Sequence, residues 1–230
     1  MPTQIKKEVM NSSKTVTKNP RDAEVAPEYA SNMLEFHGHH CLRQVVILSM
    51  LSGKQIIVKG IRSEEDNPGL KDYEVDLLKL VQKISNGTDV NINKTGTRLI
   101  LKPGIIDSGE GLSVEHNCHL GRSITYYLEC VCILGIFGKS MMNLKLHGNT
   151  DDSTDQSIES FKSSISCLLT HFGASGSLSI QVKKRGFAPQ GGGLVQVTQS
   201  FVRMLEAVSL VDEGKVKRVR GIVTSAKVSP

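Results

Sequence analysis

Two arginines in the first half of the chain stand where a bound anion is a natural ligand. Arg43, followed by Gln44, opens a predicted helix, and Arg62 follows a predicted strand. A cation at a helix N-terminus adds to the positive end of the helix dipole, and an anion held by the helix amides and the guanidinium would offset that cost. We therefore predict an anion site that uses these residues. The alternative for each arginine is an ordinary surface position.

A glycine-rich segment, Arg185 to Gly193, links two predicted strands and follows Lys183 and Lys184. Consecutive glycines such as Gly191 and Gly192 let backbone amides approach a phosphate closely, and the neighbouring cations add positive charge. The segment matches neither a Walker loop nor a dinucleotide fingerprint, because no Lys-Ser/Thr pair follows the last glycine and no helix opens there. A tight bulged connection between strands is the alternative interpretation.

Histidines and cysteines gather in two short groups, at 37–41 and at 116–119. Zinc accepts these ligand types, but the spacing matches no common structural zinc site, so we predict no metal site. Serine, histidine and aspartate all occur, yet no short motif couples a nucleophile to a base. The sequence therefore assigns no catalytic residue.

Three aspartates, Asp151, Asp152 and Asp155, precede a predicted helix. They could hold a divalent ion. The favoured alternative is that Ser153 or Thr154 caps the helix while the acids stabilise its N-terminal end.

The composition bounds the class of protein. The chain has 230 residues, of which 39% are hydrophobic, and this length allows one large domain or two small ones. No stretch approaches the roughly 18 apolar residues needed to span a bilayer, so no membrane partner is expected. Five cysteines, an odd number, favour reduced thiols in the cytosol or nucleus over a disulfide framework.

The net charge of +5 is unevenly distributed. Residues 174–230 carry nine basic and three acidic side chains, so the excess positive charge belongs to the last quarter of the chain. Such asymmetry favours a nucleic acid or another polyanionic partner. A basic, solvated face without a ligand is the alternative.

The apolar pattern predicts one order of elements twice. The first set is a helix from residue 42 that ends at Gly53, a strand over 55–61, a helix over 73–84, and strands over 89–93 and 98–102. The second set is a helix over 122–136, a strand over 141–147, a helix over 158–169, and strands over 178–184 and 194–198. Gly53 and Gly138 correspond at an offset of 85 residues, which favours duplication over chance.

These patterns predict an α/β fold of repeated β-α-β-α-β-β units, with two full units and the start of a third. A polar tail is expected over 1–35, unit 1 over 36–110 and unit 2 over 111–200. The third unit would begin over 201–230, with a strand at 215–226.

A set of ordered motifs carries a resemblance to a known family. The motifs are Leu42-Arg43-Gln44, Leu51 to Lys54, Ile61-Arg62, Asn67 to Leu70, Asp72 to Glu74, Thr95 to Thr97, Lys102 to Gly104, Ser113 to Cys118, Arg122 to Ile124, Tyr126 to Glu129, Gly148 to Asp152, Arg185 to Gly193 and Gly214 to Gly221. With them the chain resembles the RNA 3′-terminal phosphate cyclase family over residues 36–230, and within it the eukaryotic cyclase-like branch.

The resemblance implies a large domain of three similar units, with a smaller domain inserted in the third. The chain ends about where that insert would begin, so the histidine that takes up adenylate in true cyclases is expected to be absent. The resemblance therefore implies a non-catalytic protein that needs no cofactor, and an ATP-dependent RNA 3′-terminal phosphate cyclase is the alternative. Two departures concern the anion site: His37 to Cys41 replaces a glycine-rich run, and Val45 replaces a third basic residue.

The cyclase-like branch acts in the nucleolus, in the small-subunit processome, during early processing of pre-rRNA. The resemblance thus implies a nuclear and nucleolar location, with a processome GTPase as partner and pre-rRNA as a second one. The RNA or phosphate site would comprise Arg43, Gln44, Arg62, Arg122, Lys184, Arg185, Gly191 and Gly192.

Overall fold

The computed structural model describes residues 33–109, 113–212, 214–219 and 221–224. Within these residues the chain forms ten strands and four helices. The strands are β1 (Leu34–His37), β2 (Ile56–Lys59), β3 (Ser85–Asn86), β4 (Asp89–Ile92), β5 (Leu99–Lys102), β6 (Ile105–Ile106), β7 (Ser113–Asn117), β8 (Met142–Gly148), β9 (Leu178–Lys184) and β10 (Gly193–Gln199). The helices are α1 (Leu42–Ser52), α2 (Asp72–Lys83), α3 (Ile124–Ile136) and α4 (Ile158–His171).

The first sheet places its strands in the order β1-β2-β5-β4. β1 and β2 run parallel, and α1 is the crossover that a parallel pair requires. β5 pairs antiparallel with both β2 and β4. α2 lies in the connection between β2 and the β4–β5 hairpin.

The second sheet repeats this arrangement in the order β7-β8-β10-β9. β7 and β8 run parallel across α3, and β10 pairs antiparallel with β8 and with β9. The two sheets therefore share strand order and strand directions. The predicted α/β fold class is confirmed.

The four predicted helices are confirmed, and their ends follow local chemistry. α1 stops at Gly53, whose φ of 68° lies in the left-handed region and whose N–H donates to the carbonyl of Ser49. α4 stops at Phe172, and Gly173 follows it with a φ of 72°. In the described parts of the chain, no helix is both long enough and apolar enough to cross a membrane.

The residue patterns gave no bounds for the strand that opens each predicted β-α-β-α-β-β unit. β1 has four residues with none fully buried, and β7 reads Ser-Val-Glu-His-Asn with a single buried residue. Both lie at the edge of their sheets, where half-solvated strands need no apolar run. β1 begins at Leu34, inside the tail predicted over 1–35. Residues 1–32 of that tail lie outside the described residues.

One hydrophobic cluster runs through both units. α3 is at its centre, since eleven of its thirteen residues are buried, and it packs on α1, α4, β8 and β10. Tyr127, Leu128 and Leu134 of α3 are fully buried. The N-terminal end of α3 is thereby held beside that of α1.

The strand predicted over 215–226 is wrong for the residues that the structure describes. Residues 214–219 and 221–224 form no strand, and Val216, Val219 and Val223 are almost fully exposed. A strand needs a hydrogen-bonded neighbour, which the Val- and Ile-rich pattern cannot supply by itself. Regular structure of a third unit is therefore not seen in the described part of 201–224.

Candidate anion-binding site

The N-terminal ends of α1, α2 and α3, the loop after β2 and the segment before α3 line an open cavity of about 260 Å³. Its walls are His39, His40, Leu42, Arg43, Gln44, Arg62, Tyr73, Glu74, Arg122 and Tyr126. Four of the eight residues predicted from the sequence are thus brought together, namely Arg43, Gln44, Arg62 and Arg122. We call this the arginine cavity.

Arg62 is the most buried of the three arginines, with 7% of its side chain exposed. Nη1 and Nη2 each donate to one carboxylate oxygen of Glu74, over 2.7 and 2.8 Å, and Nη1 also donates to the carbonyl of Gly69. The hydrogen bonds to Glu74 are the largest cause that raises the pKa of Arg62. Glu74 also accepts from the backbone N–H of Lys71, which ties the pair to the start of α2. Arg62 is therefore a rigid wall of the cavity.

Arg122 approaches the cavity from the second unit. Its Nε donates to Asp155 over 2.8 Å, and its Nη2 makes a second, short bond to the same carboxylate. The hydrogen bonds to Asp155 are the largest cause that raises the pKa of Arg122. The guanidinium carbon lies 4.4 Å from the ring centroid of Tyr126 and 5.2 Å from that of Tyr73. Such cation–π contacts hold the guanidinium plane in place.

Arg43 joins the two units through contacts with Tyr126 and Glu129 of α3. Its Nη1 donates to the carbonyl of Tyr126 over 3.2 Å, and its Nη2 is ion-paired with Glu129. Its guanidinium carbon lies 4.9 Å from the Tyr126 ring centroid, so two guanidiniums contact one tyrosine. Burial is the largest cause that raises the pKa of Tyr126, which keeps the phenol neutral.

Each arginine of the cavity therefore has a carboxylate partner, which the sequence did not predict. Glu74 lines the cavity, whereas Glu129 and Asp155 contact Arg43 and Arg122 from positions outside the lining residues. A guanidinium taken out of water needs a counter-charge, because burying it unpaired costs several kcal/mol, on the order of 3–5. The cavity combines fixed donors with a local charge close to balance.

The other half of the predicted set lies elsewhere. Lys184 ends β9 and is exposed, opposite Leu194 of β10. Arg185 is ion-paired with Glu159, and together with Gly191 it lines a separate cavity of about 230 Å³. The arginine cavity therefore holds four of the eight residues, and a role of the other four in RNA or phosphate binding stays a prediction. These residues lie at the β9–β10 connection, where Arg185 contacts the first turn of α4 and not the residues that line the arginine cavity.

The glycines of this connection have a structural role. Gly191 and Gly192 have φ values of 65° and 85°, where side chains are strained. A Cβ at Gly193 would lie 2.7 Å from the carbonyl oxygen of Gly148 and 2.8 Å from Thr150. A bulge follows at Leu194. These contacts support the alternative of a tight bulged connection, and phosphate binding by this loop stays a prediction.

The two His/Cys groups contact different partners. His39 lies 3.8 Å from Glu65, whereas His116 lies 3.1 Å from Asp76. Among the described residues, no group of three or more His, Cys, Asp and Glu side chains could hold a metal ion.

Buried thiols are chemically quiet in this fold. Burial raises the pKa of Cys130 and of Cys132 to about 12, and it also raises that of Cys118. The reactive thiolate is therefore disfavoured at neutral pH for these three cysteines.

The aspartates before α4 serve the fold. Asp155 binds Arg122 and accepts from the N–H of Ser123, and Asp152 accepts from the N–H groups of Thr154 and Asp155. The predicted helix cap is wrong, because Ser157 caps α4 by accepting from the N–H of Ser160. Helix α4 starts four residues beyond Thr154, which places the cap later.

Sequence reasoning missed Tyr73, Glu74 and Tyr126 as cavity residues. They stand within the motifs 72–74 and 126–129 that carried the resemblance, but no local spacing pointed to a role. Their contacts to arginines on other elements arise only when the helix ends meet.

The fold and the cavity together define an α/β protein of βαβαββ units with a small site, rich in arginine and tyrosine, at the helix N-termini. The RNA 3′-terminal phosphate cyclase family matches residues 34–223. The chain belongs to this family.

Three relatives illustrate the match. The chain is 40% identical over 201 residues to the RNA 3′-terminal phosphate cyclase-like protein of Mus musculus. The aligned residues make up 87% of this chain and 53% of the relative. It is 41% identical over 198 residues to the probable cyclase-like protein of Dictyostelium discoideum (86% and 53%) and 37% identical over 197 residues to the rRNA processing protein rcl1 of Schizosaccharomyces pombe (85% and 53%). The chain spans about half the length of the curated relatives it matches.

Proposed function

We propose that this protein acts in ribosome biogenesis, in the nucleolus, where it supports the processing of small-subunit pre-rRNA without chemistry of its own. In this proposal it binds a GTPase of the processome and holds pre-rRNA through phosphate contacts. The likeness to an rRNA processing protein and to cyclase-like proteins supports the proposed role in ribosome biogenesis.

The observation that carries the RNA-binding part is the arginine cavity. Guanidiniums are well suited to phosphate because their planar fork matches its oxygens, and here three of them are held within one small cavity. Exposed cations of the last quarter, including Lys183, Lys184, Lys215 and Lys217, provide a wider positive surface for the RNA backbone. Backbone contacts of this kind position an RNA without reading its sequence.

The lining of the cavity favours binding over turnover. Glu74, the carboxylate among the lining residues, already has both oxygens bound to Arg62, so it is poorly placed to act as a general base. Tyr126 is held neutral by burial. Neither Glu74 nor Tyr126 is therefore well placed to carry a proton in a reaction.

The RNA-binding part is tested by a salt titration with a short single-stranded RNA. We expect affinity to fall steeply as salt rises, through counterion release. Arg43→Gln should weaken binding several-fold and reduce the salt slope by about 1. Lys54→Gln, which removes one charge at the exposed far end of α1, is the matched control. Equal loss in the two variants, or binding that does not depend on salt, would contradict this part.

The partner and the location are tested in cells of the source organism. Affinity purification of the tagged full chain should recover a nucleolar GTPase, and the tagged protein should co-localise with a nucleolar marker. Depletion should cause unprocessed small-subunit pre-rRNA to accumulate. Normal pre-rRNA processing after depletion would overturn the proposal.

The absence of turnover is tested separately. The protein is incubated with labelled ATP and an oligoribonucleotide that ends in a 3′-phosphate. We expect neither labelled protein nor a cyclic phosphate. Adenylated protein would favour the alternative, an ATP-dependent RNA 3′-terminal phosphate cyclase.

A further inference from the structure

A carboxylate from outside the arginine cavity holds one of its arginines. Asp155 precedes α4, lies outside the lining residues of the cavity, and keeps only 7% of its side chain exposed. Its Oδ2 accepts from Nε of Arg122 over 2.8 Å and from the N–H of Ser123 over 3.0 Å, while its Oδ1 accepts from Nη2 of Arg122. One carboxylate therefore holds both the guanidinium and the backbone of the next residue, which is the N-cap of α3.

The segment around Asp155 is itself held in place. The N–H of Asp155 donates to Oδ1 of Asp152 over 2.6 Å. The hydroxyl of Thr125 on α3 donates to the carbonyl of Gln156 over 2.7 Å. Because these contacts tie the segment before α4 to the start of α3, the partner of Arg122 has a fixed position.

The contact with Asp155 does not use every donor of Arg122. A guanidinium carries several N–H groups, and the carboxylate accepts from Nε and Nη2. Arg122 lines the cavity and keeps 23% of its side chain exposed. An arginine that is already immobilised loses less conformational entropy when it binds an anion, so it binds that anion more tightly.

A second carboxylate outside the lining residues provides a comparison. Glu129 is ion-paired with Arg43, and this pair is more exposed than the pair of Asp155 and Arg122. Arg43 also donates to the carbonyl of Tyr126 and contacts its ring, so Arg43 stays held when the charge of Glu129 is removed. Glu129 therefore acts mainly as a negative charge near the cavity, whereas Asp155 is both a charge and a clamp.

We infer that Asp155 is a positioning residue of the arginine cavity, and that its hold on Arg122 raises the affinity for an anion although its own charge opposes that anion. The inference rests on the proposed function insofar as the anion stands for an RNA phosphate. If the carboxylates acted only through their charge, neutralising either Asp155 or Glu129 would tighten anion binding. The inference instead predicts opposite results at the two positions.

The test measures sulfate binding to the full chain by titration calorimetry at one pH. Asp155→Asn keeps an oxygen that can accept from Ser123, and it should weaken binding about three- to fivefold, because Arg122 must then be ordered when the anion binds. Glu129→Gln, the matched removal of one charge, should tighten binding about twofold. A thermal melt of each variant checks that the chain is folded at the temperature of the titration.

A double-mutant cycle separates positioning from a role in the fold alone. In the Arg122→Gln background, Asp155→Asn should not weaken sulfate binding further, because the arginine through which Asp155 acts is gone. Asp155→Glu, which restores a carboxylate, should recover part of the affinity that Asp155→Asn loses. A loss from Asp155→Asn that is the same with and without Arg122 would overturn the inference.

The outcomes distinguish this inference from the proposed function. Sulfate affinity that is unchanged or tighter in Asp155→Asn, equal weakening in Asp155→Asn and Glu129→Gln, or no sulfate binding by the unmodified chain would overturn the inference. Failure of RNA to bind, with sulfate still bound more weakly by Asp155→Asn, would contradict only the RNA-binding part of the proposed function. Weaker sulfate binding by Asp155→Asn together with tighter binding by Glu129→Gln supports the inference.

Discussion

Helices α1 and α3 occupy equivalent places in the two units, yet they are buried to different extents. α3 buries eleven of thirteen residues and contacts α1, α4 and two strands, whereas α1 buries five of eleven. At the corresponding positions, Leu48 of α1 is 63% exposed and Ile133 of α3 is 38% exposed. The same pattern of residues thus produces a central helix in one unit and a peripheral one in the other. Neighbours, and not helix formation, decide which residues form the core.

The ion pairs of the cavity differ in a related way. The Arg62–Glu74 pair lies within the first unit, with both side chains less than a tenth exposed. The Arg43–Glu129 pair joins the two units and is partly solvated, with 22% and 36% of the side chains exposed. Because the two pairs differ in burial, we expect the loss of unfolding free energy to be larger when the Arg62–Glu74 pair is broken than when the Arg43–Glu129 pair is broken.

Breaking the buried pair should have the largest effect. Glu74→Ala leaves Arg62 uncompensated in the interior, and we expect a loss of about 3–5 kcal/mol in the free energy of unfolding. Glu129→Ala should cost within about 1 kcal/mol, because the freed Arg43 can be solvated. Urea unfolding of both variants measures the difference, with the exposed Glu64→Ala as control. Equal losses for Glu74→Ala and Glu129→Ala would contradict the contrast.

The central and peripheral helices should respond differently to truncation. Leu134 of α3 is fully buried, so Leu134→Ala should cost about 3 kcal/mol through lost burial and a residual cavity. Leu48→Ala on α1 should stay within about 0.5 kcal/mol, as expected for an exposed residue. Denaturant midpoints report both values. A large loss of unfolding free energy in Leu48→Ala would show that a partner covers α1 in solution.

The helix starts differ by a side-chain cap. Ser123 caps α3 by accepting from the N–H of Thr125, whereas Cys41 at the start of α1 makes no side-chain cap among the described residues. Ser123→Ala should therefore cost about 1–2 kcal/mol, and Cys41→Ala only a few tenths. Thermal melts of the two variants provide the comparison. A larger loss from Cys41→Ala would show that its thiol has an unrecognised structural role.

The first strands of the two units should differ in their response to pH. His116 of β7 is buried, and burial lowers its pKa even though Asp76 acts in the opposite direction. A lowered pKa in the folded state means that the unfolded state binds the proton more readily. Stability is then full above about pH 6.5 and falls as the pH drops below that value. We expect this effect to be the smallest of the four.

Unfolding free energies measured above and below about pH 6.5 would test whether His116 causes the loss of stability. His116→Phe should reduce the slope. A slope that persists in His116→Phe would assign the titration to another group.

Sequence patterns predicted much of the fold. Apolar residues at helical spacing and glycine stops such as Gly53 identified all four described helices, because burial periodicity and left-handed caps are local properties. The edge strands β1 and β7 could not be located from the sequence, because their stability comes from pairing with β2 and β8 and not from apolar content. The prediction of a strand over 215–226 was wrong, for the described residues, for the same reason. Val and Ile favour a strand only where a neighbouring strand is available for hydrogen bonding.

The candidate site was predictable only in part. Arg43, Gln44, Arg62 and Arg122 do line one cavity, but the carboxylates that neutralise the arginines could not be identified from spacing. Glu74 is 12 residues from Arg62, and Asp155 is 33 residues from Arg122. Local patterns carry no information on pairs at such separations.

The sequence by itself determined the α/β class, the duplicated order of elements, the uneven charge and the family, because these depend on residue types and their spacing along the chain. Only the tertiary structure decided which helix became central, which arginines met, and that His39 and His40 lie in ring contact and line the same cavity. The physical reason is that burial and ion pairing are properties of neighbours in space. The chain brings those neighbours together only after its local elements have packed.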